Sequence, residues 1–207
     1  MYIAVAGNIG AGKSSLTRIL SERYHLTAVY EAVDENPYLE DFYRDMGRFA
    51  FHSQVFFLAS RLSQHLRQVN PGNRVIQDRT VYEDAAIFAR LLHDDGVLDE
   101  RDHRSYRTLY DAVTAALRPP DLLIYLRASL PTLKRHILQR GRGYEADIDD
   151  GYLQRLGSLY ERWIEDYDLS PVVVIPADDL DFVRHERDLR RVLDMLERAG
   201  LTRPVVG

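Results

Sequence analysis

A glycine-rich stretch near the start of the chain has residue types suited to holding phosphate. Gly7, Gly12, Lys13 and Ser14 meet the pattern G-x-x-x-x-G-K-S directly after a short apolar run. Glycines let backbone N–H groups close around phosphate oxygens, and the N-terminus of a following helix adds partial positive charge. The lysine reaches the terminal phosphates, and the serine hydroxyl can ligate magnesium. The stretch therefore predicts a nucleotide-binding loop that leads into a helix over about 13–24.

We assign phosphate binding to the whole of this loop, called the P loop below. Its members are Gly7, Asn8, Ile9, Gly10, Ala11, Gly12, Lys13, Ser14 and Ser15. Such a loop occurs in kinases, ATPases and GTPase switches alike, so the rest of the chain must decide what receives the phosphate.

Two arginines lie in a segment rich in glycine and charge, residues 139–151, between two stretches with helical periodicity. The segment predicts a lid over the nucleotide. Arg140 and Arg142 within it would neutralise charge on a phosphate during its transfer, as an arginine finger does. The same arginines also fit a solvated basic turn at the end of a helix.

Charged side chains also follow two strand-like runs. Glu31 comes after residues 27–30, and Asp78-Arg79 comes after residues 74–77. Because ligands bind at the carboxyl ends of parallel strands, we expect these side chains near the phosphates. A carboxylate there would accept the proton of an attacking hydroxyl, which contributes about 10²–10⁴ in rate. An exposed glutamate and a surface Asp-Arg ion pair are the structural alternatives.

These residues need a scaffold in which the ends of strands meet. Five β-branched or aliphatic runs, at residues 2–6, 27–30, 74–77, 121–126 and 171–175, alternate with stretches of helical periodicity. The alternation predicts an α/β fold with a five-stranded parallel sheet flanked by helices. A long amphipathic helix is predicted over 48–69, ending before Asn70-Pro71-Gly72.

Composition narrows the class of protein. With 207 residues, 45% hydrophobic and 29% charged, the chain matches one globular domain, and no repeat or linker divides residues 1–207. The net charge of -5 disfavours nucleic-acid and membrane-surface partners. Without cysteine there is no disulfide, thiolate zinc site or cysteine nucleophile. No run resembles a signal peptide or reaches the length of a membrane span, so we expect a cytoplasmic protein.

Taken in order, these motifs resemble the deoxyribonucleoside kinases, the family that includes deoxycytidine, deoxyguanosine and bacterial deoxyadenosine kinases. The resemblance rests on GNIGAGKS at 7–14, Glu31-Ala32-Val33, NPYLEDFYRD at 36–45, FAFHSQVFFLASR at 49–61, DRTVYED at 78–84 and RGRGYE at 140–145. It implies a P-loop kinase fold with a short arginine-bearing lid, ATP as phosphate donor, Mg²⁺ as cofactor and a deoxynucleoside 5′-hydroxyl as acceptor. It also implies a homodimer, formed through long helices such as 48–69 and a second over about 99–117.

The resemblance implies a role for each matching residue. Glu31 would be the catalytic base, Lys13 and Arg79 would contact the transferring phosphate, and Ser14 and Asp78 would hold the metal. The acceptor would be bound by Glu31, Tyr43, Gln54, Arg61, Asp78, Arg79, Asp84, Phe88 and Glu145.

Individual contacts to the acceptor follow from the same resemblance. Tyr43 and Glu145 match the ligands of the sugar 3′-hydroxyl. Gln54 matches the amide that reads the base edge, pairing with a ring nitrogen and an exocyclic amine together. Phe88 matches an aromatic side chain that packs on the base, and Phe49 stands where many members have tryptophan.

Arg61 and Asp84 bear most on the choice of base. They match a pair that is present in purine and deoxycytidine kinases and missing from members that prefer thymidine. Such a pair fills the space of a thymine methyl group and directs Arg61 toward a purine N7. A charge on the helix surface is the alternative interpretation of Arg61, but Arg61 follows Gln54 by seven residues, about two turns, and therefore lies on the same helix face, which favours the pocket. We expect deoxyadenosine as the preferred acceptor, then deoxyguanosine or deoxycytidine.

Three positions depart from the family pattern. Ala32 stands where proline is common, Tyr144 replaces an acid, and His136, beside Arg135, stands where animal members have a lid arginine. Two other functions remain open, a nucleoside monophosphate kinase and a nucleotide-binding module without a small acceptor. Glu31 counts against the first, because a phosphorylated acceptor needs basic groups at that place. The second leaves the acceptor-binding residues unexplained.

Overall fold

The computed structural model describes residues 1–31, 35–145 and 148–201. Ala32 and Val33 of the Glu31 motif, and residues 146–147 of the predicted lid, lie outside the described residues. The described part contains a five-stranded parallel sheet with the strand order β2-β3-β1-β4-β5. Its strands are β1 (Tyr2–Gly7), β2 (Thr27–Val29), β3 (Val75–Asp78), β4 (Leu122–Arg127) and β5 (Val172–Pro176). The predicted sheet is confirmed, and each strand begins and ends within one residue of the predicted bounds.

The helices of the described part connect and cover the strands. They are α1 (Lys13–Tyr24), α2 (Leu39–Arg44), α3 (Met46–Gln64), α4 (Val81–Glu83), α5 (Arg90–Asp94), α6 (Glu100–Thr114), α7 (Leu130–Arg140), α8 (Asp150–Glu165) and α9 (Glu186–Arg198). The helix predicted over 48–69 begins at Met46, and its last turn, His65–Val69, is π-helical. A second π-helical stretch, Asp84–Ala89, joins α4 to α5.

The central strand shows why the sheet lies inside the molecule. All six residues of β1 are buried, as expected for a parallel strand that is covered on both faces. Since side chains alternate along a strand, Ile3 and Val5 pack in a cluster with residues of α1 and α9. Tyr2, Ala4 and Ala6 pack in another cluster with residues of α8. The sheet is therefore the middle of three layers.

The predicted lid is shorter than its sequence suggested. Helix α7 continues through Arg140 and ends at Gly141, which has a φ of 72°, and α8 begins at Asp150. The side chain of Asp149 caps α8 by accepting a hydrogen bond from the Tyr152 N–H at 2.8 Å. Both ends of the 139–151 segment are thus helical.

Strand order fixes where the predicted site residues lie. β1 pairs with β3 on one side and with β4 on the other, and Val5 is opposite Asp78. The P loop after β1 is therefore adjacent to Asp78-Arg79 after β3, and Glu31 follows β2 at the same edge. Within the described residues, no helix is both long and apolar enough to span a membrane.

Candidate active site

The conformation of the P loop depends on glycines at positive φ and on a hydrogen bond from Lys13 back to the loop. Gly10 and Gly12 have φ values of 83° and 98°, a region that favours glycine because a Cβ atom would clash with the backbone. Lys13, the first residue of α1, donates from Nζ to the Asn8 carbonyl at 2.9 Å. Burial and the charge of Arg79 lower the pKa of Lys13 to about 8. The lysine is thus poised beside the loop that would hold phosphate.

Ser14 and Asp78 bring a hydroxyl and a carboxylate together at the end of the P loop. The Ser14 hydroxyl donates to Asp78 Oδ2 at 2.5 Å, while buried Oδ1 of Asp78 has no hydrogen-bond partner among the residues that the structure describes. Burial raises the pKa of Asp78, which the charge of Lys13 opposes. A hydroxyl and a carboxylate with a spare oxygen are hard donors of the kind that Mg²⁺ accepts, so these residues fit a divalent metal.

Glu31 is held between two arginines. Arg79 Nε donates to Glu31 Oε2 at 3.1 Å, and Arg61 Nη2 donates to Oε1. Burial alone would raise the pKa of Glu31, but the charges of Arg79, Arg61 and Lys13 outweigh it and lower the pKa to about 2. Glu31 is therefore a charged carboxylate at the mouth of the site, and not the exposed side chain that the structural alternative required.

Arg79 has an unusual backbone that directs its side chain into the crevice. Its φ is 66°, a left-handed conformation that costs a non-glycine residue about 1–2 kcal/mol. Its guanidinium group lies over the ring of Phe88, 4.5 Å from the centroid, and Nη1 donates to the Tyr160 hydroxyl at 2.9 Å. The surface ion pair considered for Asp78-Arg79 is excluded, since both side chains are buried.

The predicted Arg61–Asp84 pair is present in the interior. Arg61 Nη1 donates to Asp84 Oδ1 at 2.5 Å, and both residues are almost fully buried. The guanidinium group of Arg61 also lies 4.8 Å from the ring centroid of Phe57. Burial raises the pKa of Asp84, and Arg61 opposes that effect. A second carboxylate oxygen, Asp84 Oδ2, has no hydrogen-bond partner within the described residues.

One cavity of about 300 Å³ collects the predicted acceptor residues. Its walls include Lys13, Ser14, Glu31, Tyr43, Gln54, Arg61, Asp78, Arg79, Asp84, Phe88, Arg140, Arg142 and Glu145. Residues at the carboxyl ends of β1, β2 and β3, residues of α3 and residues of the lid thus meet around a space of the size of a small ligand.

Sequence reasoning missed several residues of this wall. Ser53 and Phe57 lie on α3 beside Gln54, and Tyr30, Leu39, Phe42 and Tyr152 also line the cavity. Phe57 is three residues after Gln54 and four before Arg61, so helical spacing alone could have found it. Phe49, considered for the pocket, packs instead against the cluster around Leu39 and Phe42.

The lid arginines contact the predicted sugar ligand. Arg140 Nη2 donates to Glu145 Oε2 at 2.5 Å, and Arg142 forms an ion pair with Glu145 Oε1 at 3.5 Å. His136 does not extend into solvent as a lid arginine would, because its Nδ1 lies 2.8 Å from the Gly10 carbonyl oxygen. Helix α7 therefore contacts the P loop through His136 and contacts Glu145 through Arg140.

A second cavity of about 630 Å³ lies on the other side of the P loop. Gly10, Gly12, Arg135 and Phe182 contribute to its wall, together with residues 177–181 after β5. Lys13, Ser14 and Arg140 line both cavities. The two spaces meet at the P loop, as a donor and an acceptor must for direct transfer.

Comparison with known proteins decides the family. The model of the deoxynucleoside kinase family matches residues 3–199. The chain belongs to the deoxynucleoside kinase family. It is accordingly an ATP-dependent kinase that phosphorylates deoxynucleosides, and the predicted P-loop kinase fold is confirmed. The nucleoside monophosphate kinase and the binding module without an acceptor are both set aside.

Similar kinases cover almost the whole chain. The deoxyadenosine kinase of Lactobacillus acidophilus is 39% identical over 204 residues, which cover 94% of both chains. The deoxyadenosine/deoxycytidine kinase of Bacillus subtilis is 37% identical over 196 residues, covering 94% of this chain and 90% of that one. The structure of deoxyadenosine kinase from M. mycoides with bound dCTP has a TM-score of 0.84 at 31% identity, covering 96% of this chain and 100% of that chain. Kinases of this type use ATP together with a divalent metal.

Proposed function

We propose that this kinase transfers the terminal phosphate of ATP to the 5′-hydroxyl of deoxyadenosine in preference to other deoxynucleosides, with Mg²⁺ as the metal. Deoxyguanosine and deoxycytidine are the next acceptors in the proposed order. The observation that carries the preference for these three acceptors over thymidine is the buried Arg61–Asp84 pair in the wall of the acceptor cavity. The similarity to deoxyadenosine kinases supports it.

Base recognition is proposed to rest on three polar side chains. The Gln54 amide supplies a donor and an acceptor for a ring nitrogen and an exocyclic amine. Arg61, fixed by Asp84, donates to N7 of a purine, and the spare Oδ2 of Asp84 can accept from a base amine. A thymine offers no such amine, and its methyl group would need the space of the charged pair. Phe57 and Phe88 supply apolar walls for the base plane.

The sugar is proposed to be held at its 3′-hydroxyl by Tyr43 and Glu145. Both line the cavity, and Glu145 is buried while it pairs with Arg140 and Arg142. The same carboxylate that orients the sugar would therefore orient the two lid arginines. A bound deoxynucleoside would thus help to place positive charge over the phosphate.

Transfer is proposed to depend on positioning and charge neutralisation more than on strong base catalysis. With a pKa of about 2, Glu31 is ionised at neutral pH and accepts a hydrogen bond from the 5′-hydroxyl. It takes the proton only as the oxygen bonds to phosphorus and becomes more acidic. Lys13, Arg79 and Arg140 surround the phosphoryl group, which suits a loose transition state with charge on its outer oxygens.

Ser14 and Asp78 would hold the magnesium ion next to the terminal phosphates. When bound, the ion would neutralise charge that develops on the bridging oxygens. The P loop residues 7–15 would bind the triphosphate through their N–H groups, with Arg142 closing from the lid. Asp78 is held ready for the ion by the Ser14 hydroxyl.

We propose that residues 1–207 form a single kinase domain that works in the cytoplasm as a homodimer. The proposed contact uses α3 and α6, which pack together. Leu109 on the outer side of α6 is 41% exposed, as an apolar contact residue would be in an isolated chain. Light scattering of the purified protein should give twice the mass of one chain, and a mass of one chain would contradict the proposal.

Turnover of the four deoxynucleosides with ATP and Mg²⁺ tests the preferred acceptor. We expect kcat/KM to be highest for deoxyadenosine and lower by about 10²-fold or more for thymidine, since a site that hydrogen-bonds a substrate rejects one that lacks the partner groups. Thymidine should stay the poorest acceptor at every concentration. A kcat/KM for thymidine equal to that for deoxyadenosine would contradict the role of the Arg61–Asp84 pair.

A further inference from the structure

Arg79 is in contact with a buried tyrosine on its side away from the cavity. Nη1 of Arg79 donates to the Tyr160 hydroxyl at 2.9 Å, and that hydroxyl donates in turn to Glu83 Oε2 at 2.7 Å. Tyr160 and Glu83 have no exposed surface, and Arg79 has 3%. Arg79 thus makes charged or polar contacts at both ends of its guanidinium group, with Glu31 on one side and Tyr160 on the other.

Each member of this chain of contacts is itself fixed. Glu83 uses its other oxygen, Oε1, to accept from the Thr80 N–H at 2.8 Å, which satisfies that donor at the start of α4. The ring of Tyr160 stacks on Tyr125 with 5.8 Å between centroids and 16° between planes. Because its hydroxyl proton is directed to Glu83, an oxygen lone pair remains for Arg79. Burial raises the pKa of Tyr160 well above its usual value, which keeps that proton in place.

The helix that carries Tyr160 also supports the P loop. The Leu153 carbonyl of α8 accepts a hydrogen bond from Asn8 Nδ2 at 2.8 Å. A Cβ atom on Gly157 would lie 3.7 Å from that same amide nitrogen. Since residues 153, 157 and 160 are spaced by four and three positions, they share one face of α8. One helix face therefore contacts both the donor loop and the acceptor-side arginine.

We propose that Tyr160, with Glu83 behind it, is a positioning residue for the transfer step. It fixes the guanidinium group of Arg79 at the angle needed to contact Glu31 and the transferring phosphate, and it does so from the helix that also holds Asn8. The proposal rests on the proposed role of Arg79. Tyr160 does not line the acceptor cavity, so it acts through Arg79 and not on substrate.

The first test compares Tyr160→Phe with Tyr125→Phe. Both variants lose one hydroxyl from the same pair of stacked rings, but the Tyr125 hydroxyl donates to Glu161 and not to Arg79. We expect Tyr160→Phe to lower kcat by about 10- to 100-fold, since it loses a hydrogen bond to a charged group that matters in the transition state. KM for ATP and for deoxyadenosine should change by less than about two-fold. Tyr125→Phe should keep kcat within about two-fold of the original enzyme.

A kcat of Tyr160→Phe within about two-fold of the original enzyme would overturn the proposal. So would an equal fall in the Tyr125→Phe variant, because the effect would then come from packing of the rings. Circular dichroism melting of both variants checks that the comparison is made on folded protein. If Tyr160→Phe does not fold, Glu83→Gln replaces it, since its amide oxygen can still accept from Thr80 while its NH2 group cannot accept the Tyr160 proton that orients the hydroxyl toward Arg79. The same fall in kcat at unchanged KM is expected, and an unchanged kcat would overturn the proposal.

The second test measures whether Tyr160 acts through Arg79. In an Arg79→Lys background, adding Tyr160→Phe should change kcat by less than about two-fold, because the guanidinium group that the hydroxyl orients is gone. A further 10-fold loss in that background would show a separate, structural effect and overturn the proposal. Arg79→Lys alone distinguishes a failure of the proposed function of Arg79 from a failure of the positioning role of Tyr160. If it keeps full kcat, the proposed function of Arg79 fails; if it loses kcat while Tyr160→Phe does not, only the positioning role fails.

Discussion

The donor side and the acceptor side of the active site are built in different ways. The P loop is a contiguous stretch whose backbone N–H groups, glycines at positive φ and one helix N-terminus would bind the phosphates. The acceptor side is a set of buried charged side chains from separate elements, with Glu31, Arg61, Arg79 and Asp84 linked in one chain of ion pairs. A backbone loop can recognise any triphosphate, whereas a side-chain network can be tuned to one acceptor.

This difference predicts that substitutions on the two sides affect different kinetic parameters. Side-chain changes on the acceptor side should alter kcat or acceptor selectivity and leave ATP binding intact. Changes that displace the P loop should weaken ATP binding and leave acceptor selectivity intact.

The largest effect is expected for Glu31→Gln. The amide cannot take the 5′-hydroxyl proton and loses the charge that pairs with Arg61 and Arg79. We expect kcat to fall by about 10²–10⁴-fold, with the KM for ATP nearly unchanged. Glu35→Gln, at an exposed position four residues later, is the matched control and should be fully active. Near-normal turnover of Glu31→Gln with deoxynucleosides would refute the base assignment.

The next effect concerns base selectivity in the double variant Arg61→Met and Asp84→Ala. Removing both charges avoids leaving either one buried and unpaired. We expect kcat/KM for deoxyadenosine to fall by about 10²-fold and kcat/KM for thymidine to rise, because the space of the pair becomes open to a methyl group. The ratio of the two kcat/KM values measures this. Unchanged selectivity would place base recognition elsewhere in the cavity.

A moderate effect is expected for Gly10→Ala on the donor side. Gly10 has a φ of 83°, and a Cβ atom there would lie 2.7 Å from the Leu133 carbonyl and 2.9 Å from Ile137 Cγ1. The loop or α7 must therefore move, and we expect the KM for ATP to rise by about 10-fold. Gly72→Ala is a close control, since its φ is 85° and nothing lies within 4 Å of the added atom. A KM for ATP in Gly10→Ala equal to that in Gly72→Ala would contradict this prediction.

The smallest effect is a pH dependence from Lys13. Its pKa of about 8 in the free enzyme means that it loses its proton as the pH rises through 8, and with it the charge that attracts the triphosphate. We expect kcat/KM for ATP to be flat near pH 7 and to fall about ten-fold per pH unit well above 8. The kcat profile should fall only at higher pH, because bound triphosphate raises the pKa of Lys13. A kcat/KM that stays flat to pH 9.5 would contradict this.

The two sides also differ in how far the sequence predicts them. The P loop, α1 and the five strands follow from local patterns, since each depends on residues that are neighbours in sequence. Glu31, Asp78 and Arg79 follow from the rule that strand ends meet at one edge of a parallel sheet. Gln54 and Arg61 share a helix face, which could also have indicated Phe57.

Other contacts depend on how the chain folds around the site. Tyr160 reaches Arg79 and Glu83 from α8, which meets them only when the sheet is assembled, so no spacing in sequence connects the tyrosine to either residue. The pairing of Arg140 and Arg142 with Glu145 depends on the turn after α7. Sequence assigned these arginines to the donor and Glu145 to the sugar, while the structure joins them. Packing in three dimensions, and not residue type, decides such contacts.

The most direct test of the account supplies the enzyme with ATP and Mg²⁺ and compares deoxyadenosine with deoxyadenosine 5′-monophosphate as acceptors. Phosphorus NMR of the products identifies the oxygen that receives the phosphate. Because we propose that the Glu31 carboxylate accepts the proton of a hydroxyl, we predict the 5′-monophosphate from deoxyadenosine and no diphosphate from the monophosphate. Formation of the diphosphate at a comparable rate would contradict the account.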